Sequence, residues 1–364
     1  MRRCVKCVIP DTRPGIVFNA DGVCSACVNH SNRSTVDWAK RKEELVELCA
    51  SLREHPNELG YDCIIAVSGG KDSHFQVKTL KEDFGLNPLL VTVNNLPDDW
   101  TGTGIENANN LTRRFDCERI SLDLSPATAK KMFRYSFEKY GSPAWFWDRA
   151  VYTYPLWIAH KFNIPTVFYG ENISYEYGGP AASDTPSAKA QLVNNVANAY
   201  CEGDYIQAGI TDMHRIAWMN LSEEVVDSVN PLYLSYYLPW SGAKNRLVAE
   251  ANGFKPLPEW DGRNGFIDNY DQIDATGYLV HCWMKYPKYG HARATDVASY
   301  WIRDGLISRD KAMELVEKND HILDENIRQA FCRFCGYSNA EFWEIVRRHT
   351  KPEYLQKVLL NVGL

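Results

Sequence analysis

The sequence predicts an α/β fold: a parallel sheet with helices on both faces, a small cysteine module before it and a mainly helical region after it. Three observations predict this. Short apolar runs alternate with helical patterns from Tyr61 to Tyr169. The first run breaks into Ser68-Gly69-Gly70-Lys71-Asp72-Ser73. Four cysteines stand in two Cys-x2-Cys pairs ahead of residue 30. Strands alternating with helices at this spacing make parallel sheets, whose ligands sit beyond the carboxyl ends of the strands.

Residues 1–34 form the first unit. Cys4 and Cys7, then Cys24 and Cys27 after a gap of 16 residues, have the spacing of a four-thiolate zinc site. Four thiolates leave no open position on the ion, so the zinc is expected to be structural. A segment this short has too little core to fold without it. Residues 35–60 read as a linker helix, with Leu45, Val46, Cys49 and Leu52 sharing a face and His55-Pro56-Asn57 ending it.

The α/β unit is expected over 61–225. Its strands are Cys63–Val67, Leu89–Val93, Glu118–Leu122 and Thr166–Tyr169, with helices over Ser73–Phe84, Ile105–Phe115 and a long region from Ala127 to Lys161. Strand signals fade after residue 185, and 226–364 reads as a helical substrate or partner region. There Ser308 starts a helix through Val316, and Ser338 and Glu341 form a capping box. Cys332-x2-Cys335 has no further ligand nearby in sequence and reads as packing.

Bulk composition narrows the function. The 364 residues carry a net charge of −6, which offers no general attraction to nucleic acid. No stretch has the length of a membrane span or a signal-peptide core, so a cytoplasmic protein with no membrane partner is expected. In that compartment the 11 cysteines are thiols or metal ligands.

The 68–73 turn is not a Walker loop. That pattern needs a glycine where Ile65 stands, and Ser or Thr where Asp72 stands. What remains is a strand, a tight turn and a helix start, which aims free N–H groups and the positive helix end at one point. Gly69 and Gly70 let an anion approach, Ser68 and Ser73 add hydroxyls, and Lys71 adds charge. Asp72 suits either a Mg²⁺ ligand or a helix cap.

"SGGKDS" after an apolar strand resembles the PP-loop of the ATP pyrophosphatases, the adenine nucleotide alpha hydrolase-like fold. In chain order, "RRCVKCVIPDTRPGIVFNADGVCSAC", "SGGKDS", "VFYGENISYEYGG" and "KYPKYGHARATDVASYWIRDGLISRDKAMELV" resemble the N-acetyl sugar amidotransferases of bacterial surface-polysaccharide biosynthesis. The resemblance covers nearly the whole chain. It implies that ATP, held through its β- and γ-phosphates, adenylates an N-acetyl group of a nucleotide-sugar. Ammonia then replaces the oxygen to give an acetamidino sugar of lipopolysaccharide O-antigen. It also implies a separate glutaminase subunit as ammonia source. The chain has Arg at residue 2 and no glutaminase elbow around any cysteine.

Lys71, Asp72 and Glu171 are thus the catalytic candidates. Glu171 would orient substrate, bind Mg²⁺ or act as a base. Ser68, Gly69, Gly70, Lys71, Asp72, Ser73, Asn94 and Gly170 are the candidates for ATP, with Asn94 at the adenosine end by position and resemblance. Asn172, Lys285, Lys288, His291 and Arg293 are the candidates for the nucleotide-sugar, whose diphosphate or carboxylate suits basic side chains. His281 alone reads as packed or exposed. Trp145–Asp148 reads as core or interface, and Tyr175–Gly179 as a mobile lid. The rival reading is a tRNA thiolase with zinc fingers. It would need a basic RNA surface and paired catalytic cysteines, and the net charge opposes it.

Overall fold

A computed structural model describes residues 1–94, 101–179, 184–193, 202–210, 218–258, 263–275 and 277–362. Five strands form one sheet: β1 (Cys63–Ala66), β2 (Pro88–Val93), β3 (Arg119–Leu122), β4 (Thr166–Tyr169) and β5 (Asn230–Tyr233). Their order is β3-β2-β1-β4-β5, and every pairing is parallel. β1 is central, with Ile64 opposite Leu89 and Val167, and Ile65 opposite Leu90 and Phe168.

Alternation sends successive side chains to opposite faces. Ile64, Leu89, Val91 and Val167 enter one core, with α5 (Pro126–Tyr140), α6 (Trp145–Phe162) and the C-terminal helices. Ile65, Leu90, Phe168 and Leu232 enter the other. That core is closed by α2 (Trp38–Glu54), α3 (Lys71–Val77) and α4 (Gly102–Phe115). Ile64 and Ile65 are fully buried. Burying such a side chain contributes about 1.5–3 kcal/mol, so β1 is stable only with both faces covered.

The structure departs from the sequence reading in three places. The α/β unit does not end at 225, because β5 pairs with β4. The helical region expected over Ala127–Lys161 is two helices. Gly141, at φ +58, ends α5, and a Cβ there would meet the His349 ring. The Ser73–Phe84 helix starts at Lys71 and widens into a π-helical turn over Lys78–Asp83. The capping box at Ser338 and Glu341 forms as expected.

The cysteine module is docked on the C-terminal region. Val8 packs against Ala298, Ala312 and Val316, and Ile302 packs on the cluster around the four cysteines. Arg309 donates to the carbonyls of Cys4 and Cys7. No described helix is long and apolar enough to cross a membrane.

Candidate functional site

The strand order reverses between β1 and β4, and ligands of open α/β sheets bind where it does. The loops that leave these two strands carry Ser68–Ser73 and Gly170–Glu171. The first is tied to itself: the Ser68 N–H donates to Ser73 Oγ at 2.9 Å, and the Gly70 N–H to Ser68 Oγ at 3.3 Å. Gly69 has φ +96, and a Cβ there would lie 3.0 Å from the backbone of Ala108 on α4. Gly69→Ala is therefore expected to lose about 1–3 kcal/mol from the backbone conformation alone. It should also push α4 off the loop, read as a lower melting temperature together with weaker ATP binding.

Lys71 is buried and held by two carboxylates. Its Nζ lies 2.5 Å from Asp271 Oδ1 and 2.9 Å from Asp72 Oδ2. Burial alone would lower its pKa, but Asp271 and Asp72 outweigh it and hold Lys71 charged. Asp72 also accepts from Asn245 at 2.8 Å, and Asp271 binds Arg293 at 2.9 Å. Asp271 thus links the phosphate-loop lysine to the C-terminal region.

Ser68, Gly70, Lys71, Asp72, Ser73, Gly170 and Glu171 line one cavity of about 290 Å³, with Trp147, Asp148, Tyr152, Tyr270 and Asp274. Two further cavities open onto it. One, of about 130 Å³, shares Lys71, Asp72 and Glu171 and extends to Trp240 and Arg303. The other, of about 410 Å³, shares Asp148, Tyr152, Glu171 and Tyr278. It is walled by Trp145, Lys285, Lys288, His291 and Arg293, and by Arg13 from the cysteine module. Glu171 lines all three.

Glu171 is pushed up from 4.5 to about 7 by burial, then by the charge of Asp72. Between these two values unfolding lets the carboxyl ionise where the fold resists it, so stability falls as pH rises through that window. Glu171→Gln is expected to flatten this fall, raising the melting temperature at about pH 8 and leaving it unchanged at about pH 4. Equal effects at both pH values would contradict the assignment.

The four substrate candidates of the 285–293 segment gather in the largest cavity. Lys285 and Arg293 are partly neutralised there by Asp296. Lys288 donates to the Tyr140 carbonyl at 3.0 Å, and burial lowers it to about 8. His291 is buried, which lowers it to about 3 and keeps it neutral. Two candidates lie elsewhere. Asn94 follows β2, whose Val91 and Val93 line the loop cavity, and its side chain donates to Asp123 just beyond β3. Asn172 caps α7 (Ile173–Tyr177), accepting from the Tyr175 N–H at 3.1 Å. The expected lid is this helix, held by α1 (Ser25–Asn32) through Asn29 to the Tyr175 carbonyl and by Arg33 to Glu176. Sequence reasoning missed Asp271, Asp274, Asp148 and Arg13. The acidic spacing of Asp268, Asp271 and Asp274 was the one available signal.

Among the described residues, one group of metal-ligand side chains converges: Cys4, Cys7, Cys24 and Cys27, all buried, with ligand atoms within 4.8 Å of one another. The Cys4–Cys27 and Cys7–Cys24 sulfur separations are 4.0 and 3.6 Å. A tetrahedral ion with bonds of about 2.3 Å to sulfur spaces its thiolates about 3.8 Å apart, so the residues fit such an ion. Cys332 and Cys335 are core residues of the helix Glu325–Cys335.

The fold and loop define a parallel-sheet α/β protein with a glycine-serine-lysine turn after its central strand, an N-terminal cysteine cluster and a helical C-terminal region. Its residues 264–358 match the family model described as LPS biosynthesis protein WbpG-like, C-terminal domain. The uncharacterized protein MJ1599 of Methanocaldococcus jannaschii is 34% identical over 122 residues. That match covers 33% of this chain and 42% of the relative, so the chain spans less than half of the relative's length. Two solved structures are similar at a TM-score of 0.32. NMN synthetase from Francisella tularensis has 13% identity and covers 77% of this chain and 96% of its own. The U34-tRNA thiolase NcsA from Methanococcus maripaludis, with its [4Fe-4S] cluster, has 14% identity and covers 94% and 98%. Superpositions this loose leave the fold to be read from the sheet itself.

Proposed function

We propose that the chain is an ATP-dependent amidotransferase of lipopolysaccharide biosynthesis. It adenylates the N-acetyl group of a nucleotide-sugar, releases pyrophosphate, and lets ammonia displace AMP to leave an acetamidino group. The observation that carries this reading is the meeting of cavities at Glu171. The phosphate loop lines one of them, and a larger basic and aromatic one opens beside it. Such a wall suits a sugar nucleotide: the rings stack on aromatic faces, and the diphosphate accepts from Lys and Arg.

The loop's N–H groups, hydroxyls and Lys71 would gather the charge that pyrophosphate develops as it leaves. Mg²⁺ is bound through one or two carboxylates together with substrate phosphates, and Asp72 and Glu171, which both line the loop cavity, would supply them, Asp271 being already paired with Lys71 and Arg293. Zn²⁺ suits the four thiolates as a closed structural site. Ammonia would come from a separate glutaminase, and every step fits a cytoplasmic enzyme using soluble substrates. A thiolase would set a thiol against the nucleotide, whereas no cysteine is among the described residues lining the loop cavity.

The test incubates the protein with ATP, Mg²⁺, nitrogen-15 ammonium and UDP-linked acetamido sugars. Fragmentation mass spectrometry should find nitrogen-15 in the acyl group, with AMP and pyrophosphate formed in equal amounts. Unaltered sugars alongside sulfur transfer to tRNA would favour the thiolase instead.

A further inference from the structure

One side chain that the proposed function leaves unused stands where the loop cavity and the largest cavity merge. Asp148, on α6, lines both. The Tyr278 hydroxyl donates to its Oδ1 at 3.0 Å, and His281 Nε2 is 3.3 Å from its Oδ2. The other ring nitrogen, Nδ1, is 3.2 Å from Ser142 Oγ. Ser142, Asp148, Tyr278 and His281 all line the largest cavity. Segments far apart in sequence thus fix one carboxylate, in the arrangement used to orient a catalytic base.

Resting on the function proposed above, we propose that Asp148 is the general base of the adenylation step, taking the N–H proton of the substrate acetamide as its oxygen attacks the α-phosphorus. The amide oxygen bonds to that phosphorus while the bond to the bridging oxygen of pyrophosphate breaks. Electron density flows from nitrogen to oxygen, so the N–H turns acidic as the new bond forms. Its proton passes to Asp148 and leaves a neutral O-adenylyl imidate. Ammonia then adds to the carbon, and the carbon–oxygen bond to AMP breaks. The amidinium keeps all but one of the protons that amide and ammonia bring. That one leaves Asp148 for water in the cavity once the products depart.

The surroundings suit the task. Burial pushes Asp148 up to about 7, opposed by the Tyr278 hydrogen bond and the charge of Lys285. A base is most effective with its pKa near the working pH. The groups facing it are Tyr278, His281, Cys282 and Lys285 from the C-terminal helices, Tyr152 on its own helix and Glu171 across the cavity. His281, lowered to about 3 by burial and then by Lys285 and Lys288, stays neutral and orients the carboxylate without competing for its proton.

The test measures pyrophosphate release against pH with ATP, ammonium and UDP-linked acetamido sugars, for the unaltered protein, Asp148→Asn and Tyr278→Phe. Asp148→Asn is expected to lose about 10²–10⁴-fold in kcat, with the KM for ATP unchanged. The rate should rise with pH as Asp148 ionises. Tyr278→Phe removes a donor that favours the carboxylate, so this rise should move to higher pH, a shift that a packing role for Tyr278 would not produce. Full turnover in Asp148→Asn, or a pH profile that Tyr278→Phe does not move, overturns the inference. Failure of the unaltered protein to release pyrophosphate counts against the parent reading instead.

Discussion

Lys71→Ala is expected to lower pyrophosphate release from ATP by about 10²–10³-fold, the cost of removing one preorganised charge-stabilising contact. Lys71 leads the helix behind the loop and is the cation of the described residues 68–73. It is only 7% exposed, with Asp271 and Asp72 holding it charged where phosphate charge would develop. The fold should survive the change. Without Lys71, Asp271 keeps Arg293 and Asp72 keeps Asn245. Neither carboxylate is stranded, so the loss should stay below the roughly 3–5 kcal/mol that follows from an uncompensated buried charge. Lys71→Arg should rescue little, because a planar fork does not replace a compact ammonium at a point contact. Steady-state pyrophosphate assays beside thermal melts separate these effects. Unchanged turnover in a folded Lys71→Ala protein would remove the loop from the chemistry. ATP consumed to ADP and phosphate would remove adenylation altogether.

What could be read in advance follows from which forces are local. Strands β1, β2 and β4 are buried on both faces, so they show as apolar runs in a single sequence, whereas the edge strand β3 is only half-buried and showed by its place in the alternation. β5 begins Asn230-Pro231 and did not show. Proline is tolerated there because β5 is an edge strand. The loop was legible because glycines, hydroxyls and a lysine lie within six residues of one turn. Asp271 was not, since it reaches Lys71 across 200 positions of sequence. His281 on its own looked unremarkable, and it gains a role only when folding sets it against Asp148 and Ser142. Asn94 followed from its place after an apolar strand, whose Val91 and Val93 line the loop cavity, while the tie of its side chain to Asp123 is a contact between strands that local sequence does not carry.

Cys24→Ser is expected to release the metal, from about one ion per chain to almost none, and to disable the site from a distance. Structural zinc contributes about 10–16 kcal/mol to folding in finger peptides, comparable with the roughly 5–15 kcal/mol that stabilises a whole domain. The module has little else: apart from the cysteines, its own core cluster is Ile9, Val23 and Ala26. Its order matters beyond residue 34, because Arg13, which lines the largest cavity, pairs with the buried Asp296, and Arg33 pairs with Glu176 on α7. Loosening the module would therefore free the segment after Glu171 and remove a cation from the cavity wall. Metal analysis should show the loss, and limited proteolysis should show early cutting both within residues 1–35 and near α7. Cys332→Ser is the control, since Cys332 lies in the core of another helix and should leave metal content unchanged. An unaltered protein that binds no metal, or a Cys24→Ser protein that keeps both its ion and its resistance near α7, would show that the cysteine cluster does not hold the site together.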